Sequence, residues 1–422
     1  MAARIAPERR TRLDLIITAV IVVCVLVAGL LLWLTSPARK AELTTATTTP
    51  TAPVPGDQPP FELHELWRAK SAATDLPAVA QASVVIADGH SVTGRAIDTG
   101  AVLWRYRRAE PLCAAIAAWP GGDNEALAVF RNSRGCSEVT ALNASSGLRL
   151  ATRTSDADSR VQLSTDNSWV LAAGDHRLET WGSNLVRGIE YGRVTAPVNP
   201  DVSPDRRNCE FFSALPGEGR IAVIERCDGD AGYRLTVLGA SLDSDEAITE
   251  WGSEPITATS SGPPPALISV GSSAVTVYDG GADAPAPGAS PSIRVFTPEA
   301  VQVSTHQVAG TPGAPAGSHP ITSQYLATFY TGAATVVVDT TTGQARYQLT
   351  DAIGPGEYSS ALLVPVPGAV SVRDAADGKQ VRRIPVDRGD YTGPVSLRVI
   401  GPYVVEQRGD EVVVLGPDAP QS

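Results

Sequence analysis

One phrase recurs along this chain and limits what it can become. It reads ATVVVDTTTGQARYQL at Ala334–Leu349, VTALNASSGLRLATR at Val139–Arg153 and AVSVRDAADGKQVRRI at Ala369–Ile384. A shorter form, RAIDTGAVLWRY, lies at Arg95–Tyr106. An apolar or alternating run leads to Asp or Asn (Asp339, Asn143, Asp374). Gly follows four residues later (Gly343, Gly147, Gly378), and then a second run. An Asp or Asn side chain caps a turn and Gly supplies a positive φ, so each phrase reads as a β-hairpin. The phrase AIDTG departs from the spacing, since Asp98 precedes Gly100 by only two residues.

Between these hairpins lie further strand-like runs, among them Ala82–Gly89, Ser168–Leu178, Gly219–Cys227 and Gly401–Asp410. The unit therefore holds about four strands. Its turn glycines are spaced roughly 40 residues apart, the period of a β-propeller blade. Blades counted by their last hairpin strands end near Tyr106, Arg153, Arg193, Trp251, Gln307, Leu349 and Ile384. The final strand, Glu411–Gly416, has nothing after it to pair with, while Phe61–Ala69 is an orphan strand at the other end. Pairing the two closes the ring and removes an exposed edge. The expectation is an all-β, eight-bladed β-propeller over residues 61–417. Seven blades is the alternative, because Asp243–Pro320 parses poorly. Within that stretch, Asp279–Ser292 reads as a flexible surface insertion.

The repeat resembles that of the pyrroloquinoline-quinone-like propeller family, apolar-x-apolar-Asp-x-x-x-Gly-x-apolar-x-Trp. AIDTGAVLWRY matches its second half, with Trp104 in the expected place. Ala and Arg are common and Lys occurs only at positions 40, 70 and 379, the bias of a GC-rich bacterial genome such as an actinobacterial one. The resemblance raises a quinoprotein dehydrogenase, whose cofactor sits on the axis between a tryptophan and an adjacent-cysteine disulfide, beside a calcium ion. This chain has no adjacent cysteines. Its tryptophans (Trp67, Trp104, Trp119, Trp169, Trp181, Trp251) read as blade-packing residues, and no cofactor is expected.

The first sixty residues place the domain. Leu15–Leu34 is twenty residues without a charge, about 30 Å as a helix and long enough to span a bilayer. Arg4, Arg9, Arg10 and Arg12 precede it, and only Arg39 and Lys40 follow closely. The positive-inside rule then makes residues 1–14 a cytoplasmic tail and puts the rest outside, as a single-pass plasma-membrane protein. A cleaved signal peptide competes with this reading, but no A-x-A site follows. Residues 35–60, rich in Thr and Pro, read as a disordered stalk, and residues 418–422 as a short tail. Beyond Lys40 there are 28 basic against 43 acidic residues, an acidic balance that argues against nucleic acid as a partner.

Cys24 lies in the apolar span. Cys113, Cys136, Cys209 and Cys227 bound two similar stretches, each of the form Cys, apolar run, Pro-Gly turn, apolar run, Cys. Folding each as a hairpin brings its ends together, so the expected bridges are Cys113–Cys136 and Cys209–Cys227, at the open ends of the two hairpins. They suit an oxidising compartment. A four-cysteine zinc site would need paired C-x₂₋₄-C spacings, which are absent.

No Walker or G-x-S-x-G sequence is present, and His64, His90, His176, His306 and His319 are scattered. The Asp-rich stretches Asp243–Ala247 and Arg226–Gly232 read as solvated turns rather than calcium loops. No catalytic, cofactor-binding or metal-binding residue is assigned. The expected function is a non-catalytic envelope scaffold that binds envelope or membrane proteins. Alternatives are recognition of a cell-wall glycan or small ligand in the central pocket, and a quinoprotein-like or glycosidase enzyme. Clustered carboxylates or aromatics on the axis would favour the alternatives, whereas an exposed apolar rim would favour a protein partner.

Overall fold

The computed structural model describes residues 11–35, 37–54, 58–194, 206–283, 290–310 and 319–417. Eight antiparallel sheets follow one another, each a four-stranded blade, the first with a fifth strand added. The chain is an eight-bladed β-propeller preceded by one apolar helix. The sheets end where the sequence places them, at outer strands Val102–Arg107, Arg149–Thr154, Arg187–Gly192, Ile248–Pro255, Gln302–Gln307, Ala345–Leu349 and Gln380–Pro385. The eighth blade takes Val395–Ile400, Tyr403–Arg408 and Glu411–Gly416 from the C-terminal end. Its outer strand is His64–Lys70, antiparallel to Glu411–Gly416, with His64 opposite Gly416 and Lys70 opposite Glu411.

The turn between the third and outer strands explains the recurring phrase. Asn143 Oδ1 accepts the N–H groups of Ser145 and Ser146, and the Gly147 N–H donates to the Asn143 carbonyl. Asp339 and Gly343 repeat these bonds. The glycines have φ of 74° and 71°. In AIDTG the bond runs from the Gly100 N–H to the Ala96 carbonyl. Ala96, not Asp98, therefore holds the position four residues before Gly, and the turn keeps the same length without its carboxylate.

These glycines also receive the aromatic residue of the preceding blade. Trp104 is fully buried, its Nε1–H donates to the Ala144 carbonyl (2.7 Å), and its ring lies on Gly147. Trp67 does the same on Gly100, donating to Ile97 (2.8 Å), and Tyr347 takes the role on Gly378. A Cβ at Gly147 would lie 2.5 Å from the Trp104 Cβ. Gly147→Ala is expected to cost about 2–4 kcal/mol, from the positive φ and the overpacked ring together, read as a lowered urea midpoint with unchanged slope. Trp251 is an exception to the expectation that the tryptophans pack blades. It is 42% exposed, on an outer strand, with the Arg220 guanidinium over its ring at 4.2 Å.

Four further sequence readings are refined. The apolar helix is Arg12–Thr35, three residues longer at its start than the uncharged run. Part of the expected stalk is not free: Glu42–Thr44 adds to the outer edge of the first blade, with Leu43 opposite Tyr106. The outer strand there offers unpaired backbone groups, and this three-residue strand pairs with them. The Asp279–Ser292 insertion is anchored at its base, since Asp279 and Ser292 face each other in a ladder and Asp279 Oδ1 accepts the Gly281 and Ala282 N–H groups. Its residues 284–289 lie outside the described residues, as do 1–10 of the tail, 55–57 of the stalk and 418–422.

The last refinement concerns the disulfides. Both expected bridges are present, with Cα–Cα distances of 5.9 Å for Cys113–Cys136 and 3.9 Å for Cys209–Cys227. The second closes the open end of its hairpin, as expected. In the first, Cys136 sits one turn later, in the third strand Gly135–Asn143. Cys113 occupies a bulge in the inner strand Leu112–Ala118, which brings it within reach.

Candidate functional site

Each blade runs outward from the axis, so the eight first strands form the inner wall. Side chains stitch this wall. Ser213 Oγ accepts the Leu267 N–H, and Ser323 Oγ accepts the Tyr358 N–H. Glu357, on the inner strand of the seventh blade, accepts from the Val399 N–H (2.6 Å) and from Arg398 Nη1 (3.1 Å) on the eighth. Burial pushes the Glu357 carboxyl up, against the pull of Arg398.

Two kinds of loop alternate around the ring. One face carries the tight turns ending each third strand, such as Asn143–Gly147. The opposite face carries the blade-to-blade connections and the turns between second and third strands, and is called the loop face below. On it, residues from three non-adjacent blades converge. His319 Nδ1 lies 2.6 Å from Gln162 Nε2, and His319 Nε2 lies 3.9 Å from the Asp75 carboxylate. His319 enters the sixth blade, Gln162 starts the third and Asp75 precedes the first. Side chains from blades so far apart in the ring meet only over the axis, so this trio lies at the channel mouth. Sequence reasoning left His319 among scattered histidines, because only ring closure brings residues 75, 162 and 319 together.

Other buried charges are paired, some of them at blade seams. Glu406, wholly buried, accepts from Arg388 Nη2 (2.6 Å) and Nε (3.0 Å) and from Arg408 Nε (2.8 Å). Glu225, also wholly buried, accepts from Tyr191 and Thr236, with Arg206 Nε at 3.4 Å. Burial raises the Glu225 carboxyl and the Tyr191 hydroxyl. Cys209, Glu225 and Cys227 lie close together, but the bridge consumes both thiols and leaves no thiolate to ligate a metal. In the Asp-rich stretches, Asp243 caps the Asp245 and Ala247 N–H groups and Asp230 is held by Arg234 and the Cys227 N–H.

Glu125 differs from these. It is 2% exposed, starts the second strand of the second blade, and its Oε2 has no hydrogen-bond partner. Burial, helped by nearby Asp123, pushes its carboxyl up to about 7. Between about pH 4.5 and 7 the folded chain then holds a proton the unfolded chain has lost, so stability falls as pH rises through this window. Glu125→Gln is expected to abolish that fall, on the order of 2–3 kcal/mol by pH 8, in urea titrations at pH 5 and pH 8.

Outside the core, exposed aliphatic residues lie in the first two positions of the outer strand, or just before it, on five blades: Val102 (44% exposed), Leu150 (50%), Val186 (61%), Val303 (62%) and Val381 (70%). All lie beside the tight turns, so they form a discontinuous rim around the turn face.

The fold and closure define the class, an eight-bladed propeller closed by its N-terminal strand and carrying an N-terminal helix long and apolar enough to cross a membrane, a property that signal sequences share. No protein-family model matches the chain, and no curated protein does. Among solved structures it is similar to the computationally designed Ika8 protein (14% identity, TM-score 0.54), covering 85% of this chain and all of that one. It is also similar to the dihydro-heme d1 dehydrogenase NirN in complex with DHE (12% identity, TM-score 0.52), covering 88% of this chain and 80% of that one. At these identities the likeness is one of fold.

Proposed function

We propose that this chain is a non-catalytic propeller, held on the extracytoplasmic side of the plasma membrane by its N-terminal helix with the N-terminus in the cytoplasm. There it acts as a scaffold that binds envelope or membrane proteins. The exposed aliphatic rim of the turn face carries this reading, since exposed aliphatic residues near the start of the outer strand on five blades suit a protein partner. The two disulfides agree with an oxidising compartment. We read the repeat as pyrroloquinoline-quinone-like, supported by the docking of Trp67 and Trp104 on the turn glycines of the next blade.

Photo-crosslinking residues placed at Val303 and Val381 in living cells test the proposal. The expected result is one envelope or membrane protein captured from both positions. A second reading, recognition of a cell-wall glycan at the axis, is favoured by the polar trio His319, Gln162 and Asp75. Silent rim positions, with saturable glycan binding that His319→Ala removes, would overturn the scaffold in favour of the glycan.

A further inference from the structure

We infer that residues 42–54 and 58–60 form a strap bound to the outside of the propeller, not a spacer, and that this strap keeps the loop face next to the bilayer. The inference rests on the reading of Arg12–Thr35 as a membrane anchor.

The path of the strap follows from its contacts. Glu42 faces Arg107, the last residue of an outer strand, where the chain crosses onto the loop face. Thr44 faces Arg105, further down that strand. The Ala46 N–H then donates to the Ser146 carbonyl (2.9 Å), in the tight turn of the second blade. Within five residues the chain has descended from the loop face to the turn face. Pro53 next lies against Gly401, in the turn between the inner and second strands of the eighth blade. The carbonyls of Pro59 and Pro60 accept from Arg382 Nη2 (2.9 and 2.7 Å) on the seventh blade, whose guanidinium also covers the Phe61 ring. Leu63 is buried between the seventh and eighth blades, and the chain rises as the closing strand His64–Lys70. The strap thus touches four blades and crosses the seam where the ring closes.

Chain length then decides the orientation. Seven residue steps separate Thr35 from Glu42, and Pro37–Lys40 is a 3₁₀ turn. At about 2 Å per residue in that turn and at most about 3.5 Å elsewhere, the reach is about 20 Å. A free chain over 35–60 would reach roughly 85 Å. The loop-face edge of the first blade therefore stays within about 20 Å of the helix end, and the turn face lies a strand length, about 20 Å, beyond it. The channel mouth and both disulfides lie on the face so held, while the aliphatic rim points away from the lipid.

Energy transfer in nanodiscs tests this with the full chain. A Cys24→Ala background carries a donor dye at His90→Cys on the loop face or Thr99→Cys on the turn face, both exposed in the first blade. Acceptors are lipid headgroup dyes. Transfer is expected to be stronger from position 90. A ten-residue Gly-Ser insertion between Lys40 and Ala41 is expected to lower it by at least half, and the same insertion between Thr48 and Thr49 to leave it unchanged. Equal effects of the two insertions, or stronger transfer from position 99, would overturn the strap and its orientation while leaving the anchor intact. Release of the native full chain from membranes by alkaline carbonate would overturn the anchor, and the orientation with it.

Discussion

A chain lacking residues 1–70 is expected to lose cooperative folding and to aggregate at micromolar concentration. That deletion removes the outer strand of the eighth blade, leaving Glu411–Gly416 as an open edge of Val412, Val413, Val414 and Leu415, all buried in the closed ring. An unpaired, flat, apolar strand is a template for another chain. It also removes Trp67, whose ring covers Gly100 and whose Nε1–H bonds Ile97. Trp67 is half-buried, so its loss costs less than the roughly 3–5 kcal/mol of a fully buried Trp, and with about 1 kcal/mol for each lost ladder hydrogen bond the total is on the order of 5 kcal/mol. That is comparable with the whole stability of many domains. Size-exclusion chromatography and thermal unfolding read the outcome. A synthetic peptide of residues 61–72 supplied in trans is expected to restore a monomeric, cooperative species, because it supplies the strand whose loss opens the ring. A monomeric, cooperative truncated chain without the peptide would show that closure does not hold the ring.

Glu406→Ala is expected to destabilise the chain by about 3–5 kcal/mol, the cost of leaving buried guanidinium groups without their carboxylate. Arg388 and Arg408 both donate to Glu406, and the three side chains are at most 5% exposed. Arg388 also donates to the Val366 and Ala369 carbonyls of the seventh blade, so the network ties the seventh blade to the eighth. Glu406→Gln, which keeps the shape and loses the charge, is expected to recover only part of the loss. A double substitution of Glu406 and Arg388 to Met and Leu is expected to be milder than Glu406→Ala alone, since no charge of that pair remains buried and unmatched. Chemical denaturation of the three variants measures this order, and a loss below about 1 kcal/mol for Glu406→Ala would place the network outside the cooperative core.

Much of the architecture was legible because its causes are local. A strand alternates, a turn needs a capping side chain and a positive φ, and a blade repeats every 40 residues or so, which placed seven outer strands and the closing pair. The cysteine pairs were legible for the same reason, since a hairpin brings its own ends together. Where the local signal was degenerate, the reading slipped: Asp98 drew attention from Ala96 because Asp is common in turns, and Trp251 matched an outer-strand pattern while its ring faces solvent.

What the chain's own order of residues determined is thus the blade, the apolar helix and the bridges, each a matter of neighbours within a few tens of positions, while the count of eight over seven rested on pairing the two end strands. Tertiary structure alone decided the rest. Gln162 and Asp75 lie 157 or more positions before His319, and the three meet because a closed ring puts distant blades around one axis. Arg382 finds Pro59 and Pro60 across 322 positions or more for the same reason, and this turns a Thr/Pro tract with no fold of its own into a strap. Composition reports whether a segment folds by itself, but whether it is held by a surface depends on the backbone groups and side chains that the finished ring presents to it.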